Sequence, residues 1–115
     1  MIQPTIYNFT LPQGSTWDDV WTLKIAGTPY DLTGCTARLQ FRKAPTSDTT
    51  ALSITSSSGI TLGGAAGTVT FNVADTTTAA IEAGVYVYDL EIETAGGVTS
   101  RWVQGKVNVS AEVTR

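Results

Sequence analysis

The chain has 115 residues, of which 42% are hydrophobic and 15% charged, and this composition excludes a disordered chain or a coiled coil. A net charge of -3 offers no electrostatic footprint for nucleic acid or an anionic membrane. No apolar run is long enough to cross a bilayer, and the N-terminus lacks the basic and apolar segments of a signal peptide. We therefore expect one domain over residues 1–115, made in a reducing cytoplasm.

The first predicted strand covers residues 5–11, where apolar and polar residues alternate with the period of two of a half-buried strand. Pro12 and Gly14 then mark a turn. Because the end of a chain carries free backbone donors and acceptors, residues 1–9 are also a candidate extended arm that adds a strand to a neighbour's sheet. The candidate contact residues of this arm are Ile2, Ile6 and Tyr7.

Two further strands are predicted before the middle of the chain. The first covers residues 20–25 and directs Ile25 inward, after a turn that carries Asp18 and Asp19. The second covers residues 35–42, in which every other residue is apolar or small. Its first residue, Cys35, is the single cysteine of the chain, so it has no disulfide partner within the chain, and we interpret it as a small buried hydrophobe.

Short strands and turns are predicted to alternate through the next part of the chain. Residues 43–50 lack periodicity and indicate an exposed loop. Asp75 is a candidate N-cap for a short helical turn within residues 76–83, and Ile81 is predicted to plug one end of the core. The strands predicted in this part are 51–55, 60–62 and 68–73, and a glycine-rich turn at 63–67 precedes the last of them.

The strongest strand signal lies at residues 84–93, which we expect to form the central strand. A glycine turn joins it to a returning strand at residues 98–109, where Gly105 is predicted to mark a bulge. Tyr86 follows a short helical crossover and a glycine, as the tyrosine corner of immunoglobulin-like domains does. The remaining residues, 110–115, form a polar tail.

The acidic outer face of the central strand predicts charge pairing across the sheet. Arg38 and Arg42 on the neighbouring strand are expected to face Glu91 or Glu93. Turn signals about every ten residues indicate an all-β fold. We predict a single antiparallel immunoglobulin-like β-sandwich of 7–8 strands with one short helical turn.

The sequence contains no constellation typical of catalysis. It has no histidine, so the commonest general base and metal ligand is missing, and no serine has an evident activating partner. The carboxylate pair Asp18-Asp19 decorates a turn, and the pair Glu91 and Glu93 is better explained by the two arginines than by a cation. We expect no enzymatic activity, no metal and no cofactor.

Two tryptophans are further candidate contact residues. Trp17 lies beside a turn, and Trp102 is out of phase with the inward residues of its strand, which directs it outward. Outward tryptophans contribute strongly to protein interfaces. Two interpretations of Trp102 stay open, a protein contact or a cover for the core.

The run from Gly27 to Arg42, G-T-P-Y-D-L-T-G-C-T-A-R-L-Q-F-R, resembles a segment of small tailed-bacteriophage virion proteins. The similarity continues through Gly59 to Leu62, Thr76 to Ala80 and Gly84 to Leu90, and ends near Val109. Proteins with such segments have an immunoglobulin-like β-sandwich and include the N-terminal domain of phage baseplate upper proteins. This chain ends after the sandwich, without the long C-terminal extension of those proteins, which puts an anchoring role for fibres in doubt.

The resemblance implies a structural protein of the virion, attached to tail, baseplate or head–tail connector components, with other virion proteins and copies of itself as partners. A capsid decoration protein and a glycan-binding adhesin that contacts the host are the alternatives. Trp102 would carry the contact in the adhesin. Neither nucleic acid nor a membrane is expected as a partner.

Overall fold

Strands dominate the computed structural model, which describes residues 4–114. Two short helical segments interrupt them, a 3-10 turn at Gly64–Ala66 and the helix α1 at Asp75–Ala79. Within the described residues the strands are β1 (Thr5–Ile6), β2 (Phe9–Pro12), β3 (Trp17–Thr22), β4 (Lys24–Ile25), β5 (Thr28–Pro29), β6 (Thr36–Arg42), β7 (Leu52–Thr55), β8 (Ile60–Leu62), β9 (Thr68–Val73), β10 (Gly84–Glu93) and β11 (Thr99–Ser110). The all-β prediction is confirmed, with more and shorter strands than expected.

The largest sheet is built around β10, which confirms the prediction of a central strand at residues 84–93. β10 pairs antiparallel with β6 on one side and with β11 on the other. β7 extends the sheet beyond β6, and β1 and β2 lie one after the other along the far side of β11. The inward residues of β10, Tyr86, Tyr88, Leu90 and Ile92, are all buried.

A second antiparallel sheet has the strand order β3-β9-β8, and β4 and β5 form a separate small hairpin. The core lies between the two larger sheets and is rich in aromatic rings. Trp17 of the second sheet contacts Phe9 and Phe41 of the first, with ring centroids 5.5 and 5.8 Å apart. Aromatic side chains of this size bury a large apolar area, which stabilises the packing of one sheet on the other.

The helical crossover before β10 closes one end of this core. Ile81 is buried, as predicted, and the Tyr86 hydroxyl donates a hydrogen bond to the carbonyl of Glu82 four residues upstream. The prediction of Asp75 as N-cap is wrong, because α1 begins at Asp75 and its N-cap is Ala74. The Asp75 carboxylate instead accepts a hydrogen bond from the backbone of Thr76.

The segment around β3 differs from the prediction. Asp18 and Asp19 lie inside β3 and not in a turn, because the strand begins three residues earlier than expected. The Trp21 indole donates to the Asp19 carboxylate over 3.1 Å, which satisfies both polar groups at the edge of the core. Ile25 is 48% exposed and not inward, since the chain leaves the sheet after Thr22 and turns into the β4–β5 hairpin.

The bulge in the long hairpin lies at Trp102 and not at Gly105. Leu90 pairs with Val103, but the next residue, Glu91, pairs with Arg101, so Trp102 is the extra residue of β11. An extra residue shifts the phase of a strand by one, so that two consecutive side chains face the same way. Trp102 and Val103 are accordingly both buried.

Candidate interaction surface

The N-terminal edge of the largest sheet, which we define as residues 5–9 with the part of β11 beneath them, brings two predicted contact residues together, Ile6 and Tyr7. Thr5 and Ile6 pair with Val103 and Gln104, and the pairing is parallel. The prediction of a single antiparallel sandwich is therefore wrong at this edge. In this structure the extended arm predicted over residues 1–9 pairs with the chain's own β11 from Thr5 onward. Its pairing with a neighbour's sheet stays a prediction.

The edge strand is interrupted between β1 and β2 without any change of register. Ile6 pairs with Gln104 and Phe9 with Val107, which is the same offset on both sides of the interruption. At the interruption the Lys106 backbone N–H donates to the side-chain oxygen of Asn8 over 2.9 Å, in place of a main-chain carbonyl. The amide side chain therefore replaces one main-chain acceptor of the ladder.

Gly105 explains how closely the edge strand approaches β11. A Cβ atom at this position would lie 2.2 Å from the carbonyl oxygen of Tyr7, well inside van der Waals contact. The same carbonyl accepts a hydrogen bond from the hydroxyl of Tyr88, which reaches it from β10. Burial raises the pKa of the Tyr88 hydroxyl, which keeps it protonated as a donor. The glycine is thus required for close approach and not for a bulge.

Two of the predicted contact residues are exposed on this edge. Ile6 is 71% exposed and Tyr7 is 46% exposed. The Tyr7 ring meets the edge of the Trp21 ring at a centroid distance of 5.6 Å, so one part of it covers the opening between the sheets and the other faces solvent. Exposed aromatic and aliphatic side chains on an edge strand are features of a protein-binding surface. Ile2 lies outside the described residues.

The two tryptophans predicted as contacts are both buried. Trp17 is 5% exposed and stacks on Phe71 with 4.6 Å between ring centroids. Trp102 is 6% exposed and packs against Tyr30 at 4.9 Å, because the bulge turns it inward. The contact interpretation is wrong for both residues in this fold, and cover for the core describes Trp102.

The outer face of the largest sheet forms an open groove of about 630 Å3 beside the N-terminal edge. Ile6 and Asn8 border the groove on one side and Pro45 borders it on the other. Its floor includes Val87, which lies in register between Arg42 of β6 and Lys106 of β11. Asp89, Glu91 and Arg101 also line the groove, so it combines apolar side chains with charges of both signs.

The charges on this face are only partly paired as predicted. Arg38 meets Glu91 across the strands at 2.7 Å, which raises the pKa of the guanidinium through hydrogen bonding and charge. The expectation for Arg42 is wrong, because Val87 stands opposite it and its guanidinium donates to the Ser47 carbonyl and the Gln40 side chain. Pairs exposed to this degree contribute little to stability, typically about 0.2–1 kcal/mol.

Asp89 is the carboxylate on this face that the sequence did not single out. It lies in register between Gln40 and Gln104, and its carboxylate is 3.4 Å from the guanidinium of Arg101. Partial burial raises its pKa, and the neighbouring Glu91 adds to the effect. The alternation of β10 is enough to predict that Asp89 lies on the outer face of the sheet. Its pairing with Arg101 could not be predicted, because it depends on the bulge at Trp102.

Cys35 lies just before β6 and is half-buried against the core. Burial raises the pKa of its thiol, so the reactive thiolate form is disfavoured. This position agrees with a packing role, although the residue is less buried than predicted.

Within residues 4–114 the structure brings together no group of three or more acidic, cysteine or histidine side chains that could hold a metal ion. In the same part of the chain no helix has the length and apolar character needed to cross a membrane. Comparison of the sequence with protein-family models and with curated proteins finds no match.

Proposed function

We propose that this chain is a non-enzymatic structural protein that binds neighbouring protein subunits through its N-terminal edge. The observation that carries the proposal is the edge strand itself. β1 has β11 as its strand partner within the described residues, and Ile6 in β1 and Tyr7 just after it are exposed to solvent. Apolar side chains beside free backbone groups at a sheet edge favour association with another protein.

We further propose that the assembly is the virion of a tailed phage, at the tail, baseplate or head–tail connector. The resemblance of residues 27–109 to small phage virion proteins supports this setting. The finer fold assignment, an immunoglobulin-like sandwich, is supported by the Tyr86 hydroxyl bond to Glu82, which has the form of a tyrosine corner. The crossover and strand that form this bond lie inside the region of resemblance.

A capsid decoration role differs from the leading proposal in location and not in chemistry, so particle imaging separates the two. The adhesin alternative depended on an exposed Trp102 for stacking against a sugar. Because Trp102 is buried, that alternative loses its candidate contact residue.

The proposal is tested by quantitative mass spectrometry of particles assembled in the presence of tagged variants. We expect wild-type protein in purified particles and about tenfold less of Ile6→Asp, because a carboxylate in an apolar contact costs at least the corresponding free energy. Val98→Asp is the matched control, since Val98 is also exposed but lies in the β10–β11 turn.

Two outcomes would contradict the proposal, and a folding control accompanies them. Absence of the wild-type protein from particles would overturn the virion setting. Equal incorporation of Ile6→Asp and Val98→Asp would overturn the role of the N-terminal edge. Thermal unfolding of both purified variants shows whether each still folds, and because both side chains are exposed, we expect both to fold.

A further inference from the structure

The surface of β11 is shaped to receive one particular backbone segment. Gly105 leaves room for the Tyr7 carbonyl, and the Tyr88 hydroxyl donates to that carbonyl. The Lys106 N–H donates to the Asn8 side chain, and the Tyr7 N–H donates to the carbonyl of Gln104 over 2.9 Å. These contacts favour a segment with a backbone carbonyl above Gly105 and an Asn side chain at the next position.

The segment that occupies this surface is weakly attached to the rest of its own chain. Apart from the hydrogen bonds of Tyr7 and Asn8, its attachment consists of the two register pairs of β1 with β11, and residues 5–8 are all exposed. β2 is held more firmly, because Leu11 is buried in the core. Gln13, just beyond β2, is anchored to the backbone of Ser110 over 2.9 Å and to the carbonyl of Ile81 over 2.7 Å.

The boundary between these two parts lies between Asn8 and Phe9, because the Phe9 ring packs against Trp17 and Tyr88. A change of backbone angles there moves residues 5–8 away from β11 and leaves β2 in place. The detached edge then exposes a surface that fits the same segment of another copy, contact for contact. Exchange of identical elements between copies has a low free-energy cost for this reason.

We infer that residues 5–8, which include β1, exchange between two copies of the chain, so that this segment of each copy lies on β11 of the other. The inference rests on the proposed function and makes it more specific, because it names a second copy as the partner of the N-terminal edge. In a reciprocal exchange the two hinges between Asn8 and Phe9 lie close to the two-fold axis. High local concentration in an assembly favours the exchanged form over the closed monomer.

Cysteine trapping tests the inference directly. Ile6 and Gln104 are register partners and line the same groove, so cysteines at both positions are close enough for a disulfide whenever β1 lies on β11. In a Cys35→Ala background, Ile6→Cys and Gln104→Cys are made on separate chains of different tagged length and mixed at about 1 mM, the effective concentration typical of tethered subunits. A disulfide between the two chains forms when β1 of one lies on β11 of the other.

Two controls are needed to interpret the yield of disulfide-linked heterodimer. Ile6→Cys mixed with Val98→Cys measures random collision, since Val98 is exposed but lies in the β10–β11 turn. The double variant Asp89→Cys and Gln104→Cys joins β10 to β11 within one chain and shows that the Gln104 position is reactive. We expect about tenfold more heterodimer from Ile6→Cys with Gln104→Cys than from the collision control, rising with protein concentration.

Two results would contradict the exchange. A further variant carries both Ile6→Cys and Gln104→Cys on one chain. If its disulfide forms only within that chain, and the mixture of single variants gives no more heterodimer than the collision control, the exchange does not occur. If neither disulfide forms while the Asp89 control does, β1 does not occupy β11 and the inference also fails. Either result leaves the particle-incorporation assay unaffected, so failure of the exchange is distinguishable from failure of the proposed function.

Discussion

The central strand β10 and the N-terminal pair β1–β2 have the same kind of sequence, alternating apolar and polar residues, but they occupy opposite structural situations. β10 has a hydrogen-bonded partner on each side, and its inner face is buried from Tyr86 to Ile92. β1 and β2 lie on one side of β11, in parallel, and most of their residues are exposed.

This difference shows that alternation of apolar and polar residues predicts a strand but not whether the strand is central or at the edge of the sheet. In β10 the alternating side chains pack against a second sheet, so burial stabilises the strand. In β1 and the two residues after it the backbone is held by a few specific polar contacts, and the side chains of Ile6 and Tyr7 are exposed. The first arrangement stabilises the fold, and the second is suited to assembly.

The largest expected effect is at the centre of β10. Leu90→Ala removes a fully buried side chain, and we expect the free energy of unfolding to fall by about 2–5 kcal/mol through lost burial and the cavity left behind. Ile6→Ala is the matched control at the edge, where we expect a change within about 0.5 kcal/mol because the side chain is exposed. Urea unfolding followed by tryptophan fluorescence measures both values. Equal losses would show that the edge is part of the core.

A smaller effect is expected where β1 approaches β11. Gly105→Ala places a methyl group 2.2 Å from the Tyr7 carbonyl oxygen, so the edge strand has to move, at a cost of about 1–3 kcal/mol. At Gly96 the nearest atom to an added Cβ is 3.8 Å away, and we expect Gly96→Ala to stay within about 0.5 kcal/mol. Amide exchange at Tyr7, whose N–H bonds to Gln104, reports whether the edge strand has detached. Unchanged protection in Gly105→Ala would contradict the close approach.

The same two regions define how much the sequence could predict. The bounds of β10, its central place and the Arg38–Glu91 pair follow from alternation and from the pairing of adjacent long strands. The all-β class follows from the same local pattern. These features depend on residues near each other in the sequence or on faces with one clear polarity.

The features that the sequence missed depend on long-range geometry. The alternation of β11 predicted an outward Trp102 because it does not reveal the extra residue at this position. The bulge reverses the direction of the side chain, which is buried. Gly105 stood out in the sequence, but a bulge and a close backbone contact favour the same residue type. Parallel pairing of residues 5–12 with β11 joins segments almost a hundred residues apart, and no local pattern encodes it.

The smallest expected effect is the change in the free energy of unfolding when one of two tyrosines on the same face of β10 loses its hydroxyl. The Tyr86 hydroxyl bonds to the Glu82 carbonyl in the crossover, and the Tyr88 hydroxyl bonds to the Tyr7 carbonyl at the edge. We expect Tyr86→Phe to lower the free energy of unfolding by about 1 kcal/mol, since it leaves a crossover carbonyl without its partner. Because the bond of Tyr88 holds a weakly attached segment, we expect Tyr88→Phe to cost about 0.5 kcal/mol or less in global stability.

The two variants are also expected to differ in which region of the structure shows faster amide exchange. Tyr88→Phe should speed amide exchange at Tyr7, while Tyr86→Phe should leave that amide unchanged and weaken the crossover around α1. Each variant is the control for the other, because both remove one hydroxyl from a buried ring of the same strand. Equal losses of global stability, with no selective exchange at Tyr7, would mean that the edge strand unfolds together with the core, and the contrast between the two regions would then be wrong.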